Sequence, residues 1–202
     1  SLGTTTTVLH GNAAGTPTFG AVSLTADVSG TLPIANGGTN NTNGIGYEYV
    51  VASSGVAQSV TGTLTETVLA TIAIPAGIGA NASIFVEALF AKTGTAGSLS
   101  VRIRFGASGA GTGGTQMVLG NLGATFTEVH MAGRIYNRNS ASSQVCNSYI
   151  AQGGWGGLAS ASSSTSAINT ASASEIALTF TLGNTGDTGI LNGYMVKILP
   201  QS

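Results

Sequence analysis

Hydrophobic and polar residues alternate with a period of two along most of the chain beyond residue 47. Leu99, Val101, Ile103 and Phe105 fall on one side of an extended segment, with Ser100, Arg102 and Arg104 on the other. Ile176, Leu178, Phe180 and Leu182 repeat the pattern against Ala177, Thr179 and Thr181. Successive strand side chains point to opposite faces, so each segment predicts a strand with one face on a core. Further strands are expected over residues 47–52, 66–75, 83–92, 115–119, 126–137, 144–151, 166–170 and 190–199. Many strands separated by turn signals predict an all-β fold, an antiparallel β-sandwich of jelly-roll-like type. Residues 84–90 depart from the rule, because Ile84, Val86, Ala88 and Phe90 line one side while Phe85 and Leu89 accompany Glu87 on the other. A strand apolar on both sides needs cover beyond its own sandwich, and a neighbouring subunit would supply it. Residues 161–173 carry too much Ser and Thr for a helix, and 160–164 are expected to be loop.

Before residue 41 the pattern changes to short extended pieces broken by Gly and Pro. Val22, Leu24, Val28, Leu32 and Ile34 are apolar, but a segment this short cannot bury them against itself. Identical copies around a symmetry axis would, which makes this stretch an oligomerisation neck. Residues 40–46 are polar and Gly-rich and separate the two regimes. The expected organisation is a shaft or neck over 1–42 and a head over 43–202. The chain begins at Ser1 in mid-pattern, as a fragment of a longer polypeptide would.

Composition narrows the function. Charged residues are 6% of the chain and hydrophobic ones 42%, with 31 Gly and a net charge of −1. The surface must therefore be built from Ser, Thr, Asn and Gly, and about 155 residues suffice for a real core. Near-zero charge without a basic stripe argues against a nucleic-acid partner. No apolar run is long enough for a membrane span, and the start lacks the pattern of a signal peptide, so membrane insertion is not expected. Cys146 is the one cysteine and is expected to be a packed thiol.

Catalytic chemistry is sparse, and no cofactor is expected. Glycoside hydrolysis uses two carboxylates flanking the scissile bond, yet Asp27, Glu48, Glu66, Glu87, Glu128, Glu175 and Asp187 form no close pair in sequence. His10 and His130 lack a nucleophile elbow. Three copies of His10 could meet on an axis and hold a metal, but a polar spacer in a Thr-rich shaft is the simpler reading, and no metal site is expected. The glycines of residues 106–114 lack the Lys and helix of a phosphate loop and read as a flexible turn. Arg102 and Arg104 could bind an acidic sugar; pairing with Glu87 is the favoured expectation. Trp155 stands among glycines, where an indole suits either stacking on a sugar ring or anchoring its loop.

A resemblance adds to this reading. Gly3-Thr4-Thr5-Thr6-Thr7-Val8-Leu9-His10-Gly11-Asn12, Pro17-Thr18-Phe19 and Gly30-Thr31-Leu32-Pro33-Ile34-Ala35-Asn36-Gly37-Gly38-Thr39 resemble the shaft that leads into the tip domain of bacteriophage tail fibres. The resemblance covers about the first fifth of the chain. It implies a homotrimeric, non-enzymatic adhesin at the fibre tip of a virion, joined to upstream fibre proteins and bound to a host cell-surface glycan or outer-membrane receptor. A structural capsid or baseplate fibre and a glycan-degrading tailspike are the alternatives. Receptor contact is then expected from the loops at 137–143 and 152–160, with Trp155, Arg138 and Asn139 as candidates. An eight-residue strand between them would place the two loops at opposite ends, and the Trp155 loop is the primary choice.

Overall fold

The alternating segments become strands, all paired antiparallel, in a computed structural model that describes residues 6–12, 14–23, 48–94, 97–125, 127–151 and 164–200, without the side chains of 147–151. In chain order they are β1 Val8–His10, β2 Thr18–Gly20, β3 Tyr49–Ser54, β4 Gln58–Thr61, β5 Thr67–Ile74, β6 Ser83–Thr93, β7 Leu99–Ala107, β8 Thr115–Leu122, β9 Glu128–Asn137, β10 Gln144–Ala151, β11 Ser164–Ser166, β12 Ser174–Leu182 and β13 Thr188–Leu199. The chain divides into two units, Ser1–Ile45 and Gly46–Ser202.

In the first unit β1 and β2 form a two-stranded ribbon with Leu9 opposite Phe19. The side chain of Asn12 accepts the Ala14 amide and shapes the turn between them. Leu9 is 58% exposed, Phe19 43% and Val22 50%. An isolated ribbon of this size has no core of its own. Leu24, Val28, Leu32 and Ile34 of the expected neck lie outside the described residues.

The second unit is a sandwich whose connectivity can be followed as a folded ladder. β3 and β4 both pair with β13, β5 pairs with β12, β6 with β9 and β7 with β8. The chain thus runs out along one side of four antiparallel rungs and back along the other. Pairing of β6 with β13 and of β7 with β12 rolls the ladder up. The outcome is a larger sheet in the order β11-β10-β9-β6-β13-β3, with β4 also on β13, facing a smaller sheet β5-β12-β7-β8. This wrapping is that of a jelly roll, with β10 and β11 inserted to extend the larger sheet.

Between the sheets lie Ile84, Val86, Phe90, Met131, Ile135, Val196 and Ile198 from one side and Ile72, Ile74, Val101, Ile103, Phe105, Ile176, Leu178 and Phe180 from the other. Each fully buried side chain of this size contributes about 1.5–3 kcal/mol of transfer free energy. Phe90 and Phe180 meet edge to face at 6.0 Å. Gly189 is required beneath them, since a Cβ there would come within 2.5–2.7 Å of three atoms of the Phe180 ring.

Cys146 faces this core at 1% exposure, and burial pushes its thiol up to about 11. The thiolate is the reactive form, so an aromatic disulfide reagent at neutral pH should leave Cys146 unmodified until the chain is unfolded in urea. Prompt reaction of the native protein would mean that this wall of the sandwich opens.

Two local expectations change. β4 was not expected; it is a short edge strand with three of its four residues exposed, and its pattern is too weak to stand out. The strand expected at 166–170 lies instead at Ser164–Ser166, which takes Ser164 out of the expected loop. Beyond it the backbone bonds to side chains and turns: the Ile168 amide donates to Gln144 Oε1 and the Thr170 amide to the Ala141 carbonyl. The outward residues of β6, namely Phe85, Glu87 and Leu89, are half-buried within one chain.

Candidate receptor-binding surface

Strand β9 ends at Asn137, and beyond Arg138 the chain leaves the sheet around a buried polar knot. Asn137 Nδ2 donates to the Gly79 carbonyl at 2.6 Å and to Thr170 Oγ1 at 2.9 Å. Gln144 Nε2 lies 3.0 Å from Asn137 Oδ1, 3.1 Å from the Ala141 carbonyl and 3.0 Å from the Ile168 carbonyl. Its Oε1 accepts the Ser166 hydroxyl at 2.8 Å. Buried amides of this kind are costly unless bonded, and here they fix the loop by satisfying each other. On this base the loop at 138–143 presents Arg138 and Asn139, both exposed. Asn139 adopts φ +53°, a left-handed turn that Asn tolerates, and the Ser140 amide is bonded to the Ala80 carbonyl at 3.0 Å.

Two of the three expected receptor residues are therefore neighbours on a rigid loop, and Trp155 lies outside the described residues. β10 is eight residues long and runs from this end of the sheet to the other, so Arg138 and the residue that precedes the Trp155 segment, Ala151, stand at opposite ends.

The adjacent outer face of the larger sheet has an order that the register makes explicit. Arg134, Phe85 and Lys197 form one cross-strand row, Ala132, Glu87 and Met195 the next, and His130, Leu89 and Gly193 a third. Phe85 stands between two cations from flanking strands, with Arg134 Cζ 5.4 Å and Lys197 Nζ 5.8 Å from its ring centroid. Lys197 also reaches Glu48 at 3.8 Å. Glu87 Oε1 lies 3.1 Å from His130 Nε2. Where Gly193 supplies no side chain, a shallow hollow of about 230 Å³ opens beside Glu87, Leu89, His130 and Met195.

Within one chain Glu87 thus pairs with His130 and not, as expected there or across a subunit interface, with Arg102 or Arg104. β6 and β7 belong to opposite sheets, so no hairpin brings their outward side chains together. Arg104 instead grips Glu66, with Nε 2.6 Å from Oε1 and Nη2 2.7 Å from Oε2. Arg102 donates to Gln116 Oε1 and Thr181 Oγ1 and lies 3.8 Å from Glu66. Neither guanidinium is open to a ligand in the way the alternation of β7 had suggested. Glu66 stands one residue before β5, and no local spacing pointed to it.

The Gly-rich turn after β7 also differs from expectation. The amides of Gly109 and Gly111 donate to the two oxygens of Glu175, at 2.7 and 2.6 Å. Both glycines have positive φ. The turn is an anion nest after all, filled by the protein's own buried carboxylate. Among the described residues no group of three or more His, Cys, Asp or Glu comes together as a metal site.

No family model and no curated protein matches the chain. Among solved structures, the chain is similar to the VP2 subviral particle of infectious bursal disease virus, at 12% identity and TM-score 0.34, over 81% of this chain and 34% of that one. It is also similar to lectin I from Ulex europaeus in complex with the methyl glycoside of alpha-L-fucose, at 11% identity and TM-score 0.33, over 78% of this chain and 94% of that one. A third similarity is to alginate lyase from Alteromonas sp. 272, at 11% identity and TM-score 0.28, over 63% and 88% of the two chains. The chain spans about a third of the length of the viral protein, and none of these similarities assigns a function.

Proposed function

We propose that this chain is the tip of a bacteriophage tail fibre, a homotrimeric adhesin that attaches the virion to a host cell-surface saccharide without cleaving it. The observation that carries the reading is the first unit: a ribbon with Leu9, Phe19 and Val22 exposed in the stretch that resembles fibre shafts. Copies of the same ribbon around an axis remove those side chains from water, and burial of each contributes on the order of 1.5–3 kcal/mol. The jelly roll of the second unit is compatible with capsid and lectin roles alike, so the fold does not choose between them. A non-cleaving role is supported by the carboxylates: Glu66 is held by arginines, Glu175 by amides and Asp187 by a buried lysine, which leaves none of the three poised as a general acid.

Light scattering on the chain at micromolar concentration should return three times the monomer mass. Leu9→Asp should shift that mass toward the monomer, because assembly would force three carboxylates into a dry seam. A monomer mass for the parent protein would overturn the trimer. Adsorption to a panel of bacteria, with no release of reducing ends from their polysaccharide, tests the adhesin itself.

A further inference from the structure

The chain has six Lys and Arg, and most of them are already committed. Lys92 is buried against Asp187, Arg102 and Arg104 are held with Glu66, and Lys197 reaches Glu48. Arg134 and Arg138 have no carboxylate partner among the described residues. They stand on the same strand and its exit, with Tyr136 between them. Exposure alternates through this run: Arg134, Tyr136 and Arg138 are exposed, while Ile135 and Asn137 are buried. The Arg138 amide bonds to the Ser143 carbonyl at 2.9 Å, continuing the β9–β10 register by one more pair. The three side chains therefore rise from one face of the sheet along a line of about 13 Å.

We infer that Arg134, Tyr136 and Arg138 form a binding strip for an acidic saccharide, one whose sugars carry carboxylate, sulfate or phosphate groups. The inference rests on the adhesin reading above and assigns that adhesin a ligand class and a site. In a chain this poor in charge, two uncompensated guanidiniums on one face are a local positive field that nothing in the described protein neutralises. Each offers a planar donor fork that fits an oxyanion. Phe85 holds the Arg134 guanidinium from below, which reduces the freedom lost on binding. The Tyr136 ring, 40% exposed, provides the flat apolar surface on which the C–H face of a sugar stacks, and its hydroxyl supplies a hydrogen bond. The line spans a short oligosaccharide and not a single ring. A nucleic acid would need a broader basic surface than a protein of net charge −1 supplies.

The test titrates the full chain by calorimetry with a short oligogalacturonate, a sulfated oligosaccharide and a neutral glucan of matched length. The uronate or the sulfated ligand should bind, more weakly at about 0.15 M than at about 0.02 M salt, and the neutral glucan should not. Arg134→Gln and Arg138→Gln should each lower affinity by about tenfold, and Tyr136→Ala should weaken it while leaving most of the salt dependence. These side chains are exposed, so melting temperature and mass should stay at parental values. Equal binding of the neutral glucan, unchanged affinity in the double arginine variant, or no binding of either acidic ligand would overturn the site. Cell adsorption separates the two readings: retention by the double arginine variant removes this strip and leaves the adhesin standing, whereas a parent chain that adsorbs to no cell removes the adhesin.

Discussion

Asp187→Ala should lower the unfolding free energy by about 3–5 kcal/mol, the cost of leaving a buried charge without its partner. The partner is Lys92, whose side chain is 1% exposed at the end of β6. Its ammonium donates to the Gly97 carbonyl at 2.9 Å, the Ala124 carbonyl at 3.2 Å and Asp187 Oδ2 at 3.3 Å. Asp187 Oδ2 in turn accepts the Gly97 amide at 3.1 Å. One ammonium thereby joins the β6–β7, β8–β9 and β12–β13 turns at one end of the sandwich. The space is tight, because a Cβ on Gly97 would come within 2.8 Å of the Asn184 amide nitrogen. Removing the carboxylate leaves a cation with carbonyls but no counter-charge, and also leaves the Gly97 amide without its acceptor. Urea unfolding of the full chain, followed by fluorescence, gives the loss directly. Lys92→Met with Asp187→Ala should then cost less than the two single changes added together, since neither charge remains to be stranded. A single-mutant loss below about 1 kcal/mol would place the pair with ordinary surface ion pairs and remove the idea that it locks this end.

The contrast between what alternation reveals and what it hides follows from the range of each interaction. Leu99 to Phe105 and Ile176 to Leu182 announce their strands because the inward and outward sets differ within a few residues, and both strands lie in the smaller sheet; β7 is half-buried as expected, whereas β12 is buried on both faces. β10 has the bounds its sequence suggested. The pairing of those strands is another matter, because the rungs of a jelly roll join residues as far apart as β3 and β13. No local pattern records that β6 and β7 lie in opposite sheets, and the expected Glu87–Arg pair failed on that point. Lys92 and Asp187 are 95 positions apart, which hides them equally well. Of the candidate surface, Arg138 and Asn139 were legible as polar residues in a turn. Arg134 and Tyr136 carry no such signal, because they sit within a strand, where an exposed side chain looks like any solvated face. The signal that singles them out is subtractive: it appears only after the other cations have been matched with their acids.

Acid should weaken the protein through Glu66, and Glu66→Gln should erase part of that dependence. The Arg104 guanidinium bonded to both carboxylate oxygens holds this group below the ordinary value of 4.5, with burial opposing, and the Thr179 hydroxyl and the nearby Arg102 adding to the effect. A carboxyl whose folded pKa is depressed binds its proton less readily in the folded state than in the unfolded one. Its contribution to stability is therefore fully present above the ordinary glutamate value and is lost as pH falls through the lower, folded value. At neutral pH Glu66→Gln should cost about 2–3 kcal/mol, less than the loss of a fully buried partner, because Glu66 and its two arginines keep 15–19% of their side-chain surface in water. The gap between parent and variant should close as the pH is lowered from about 7 to about 3, since protonation makes the two side chains alike in charge. Other carboxylates titrate in the same range, so the quantity to follow is the difference between the two urea midpoints at each pH and not the parental curve alone. A difference that stays constant across that range would mean that the Arg104 fork binds the neutral side chain as well as the anion, and the folded state's preference for ionised Glu66 would play no part in holding β5, β7 and β12 together.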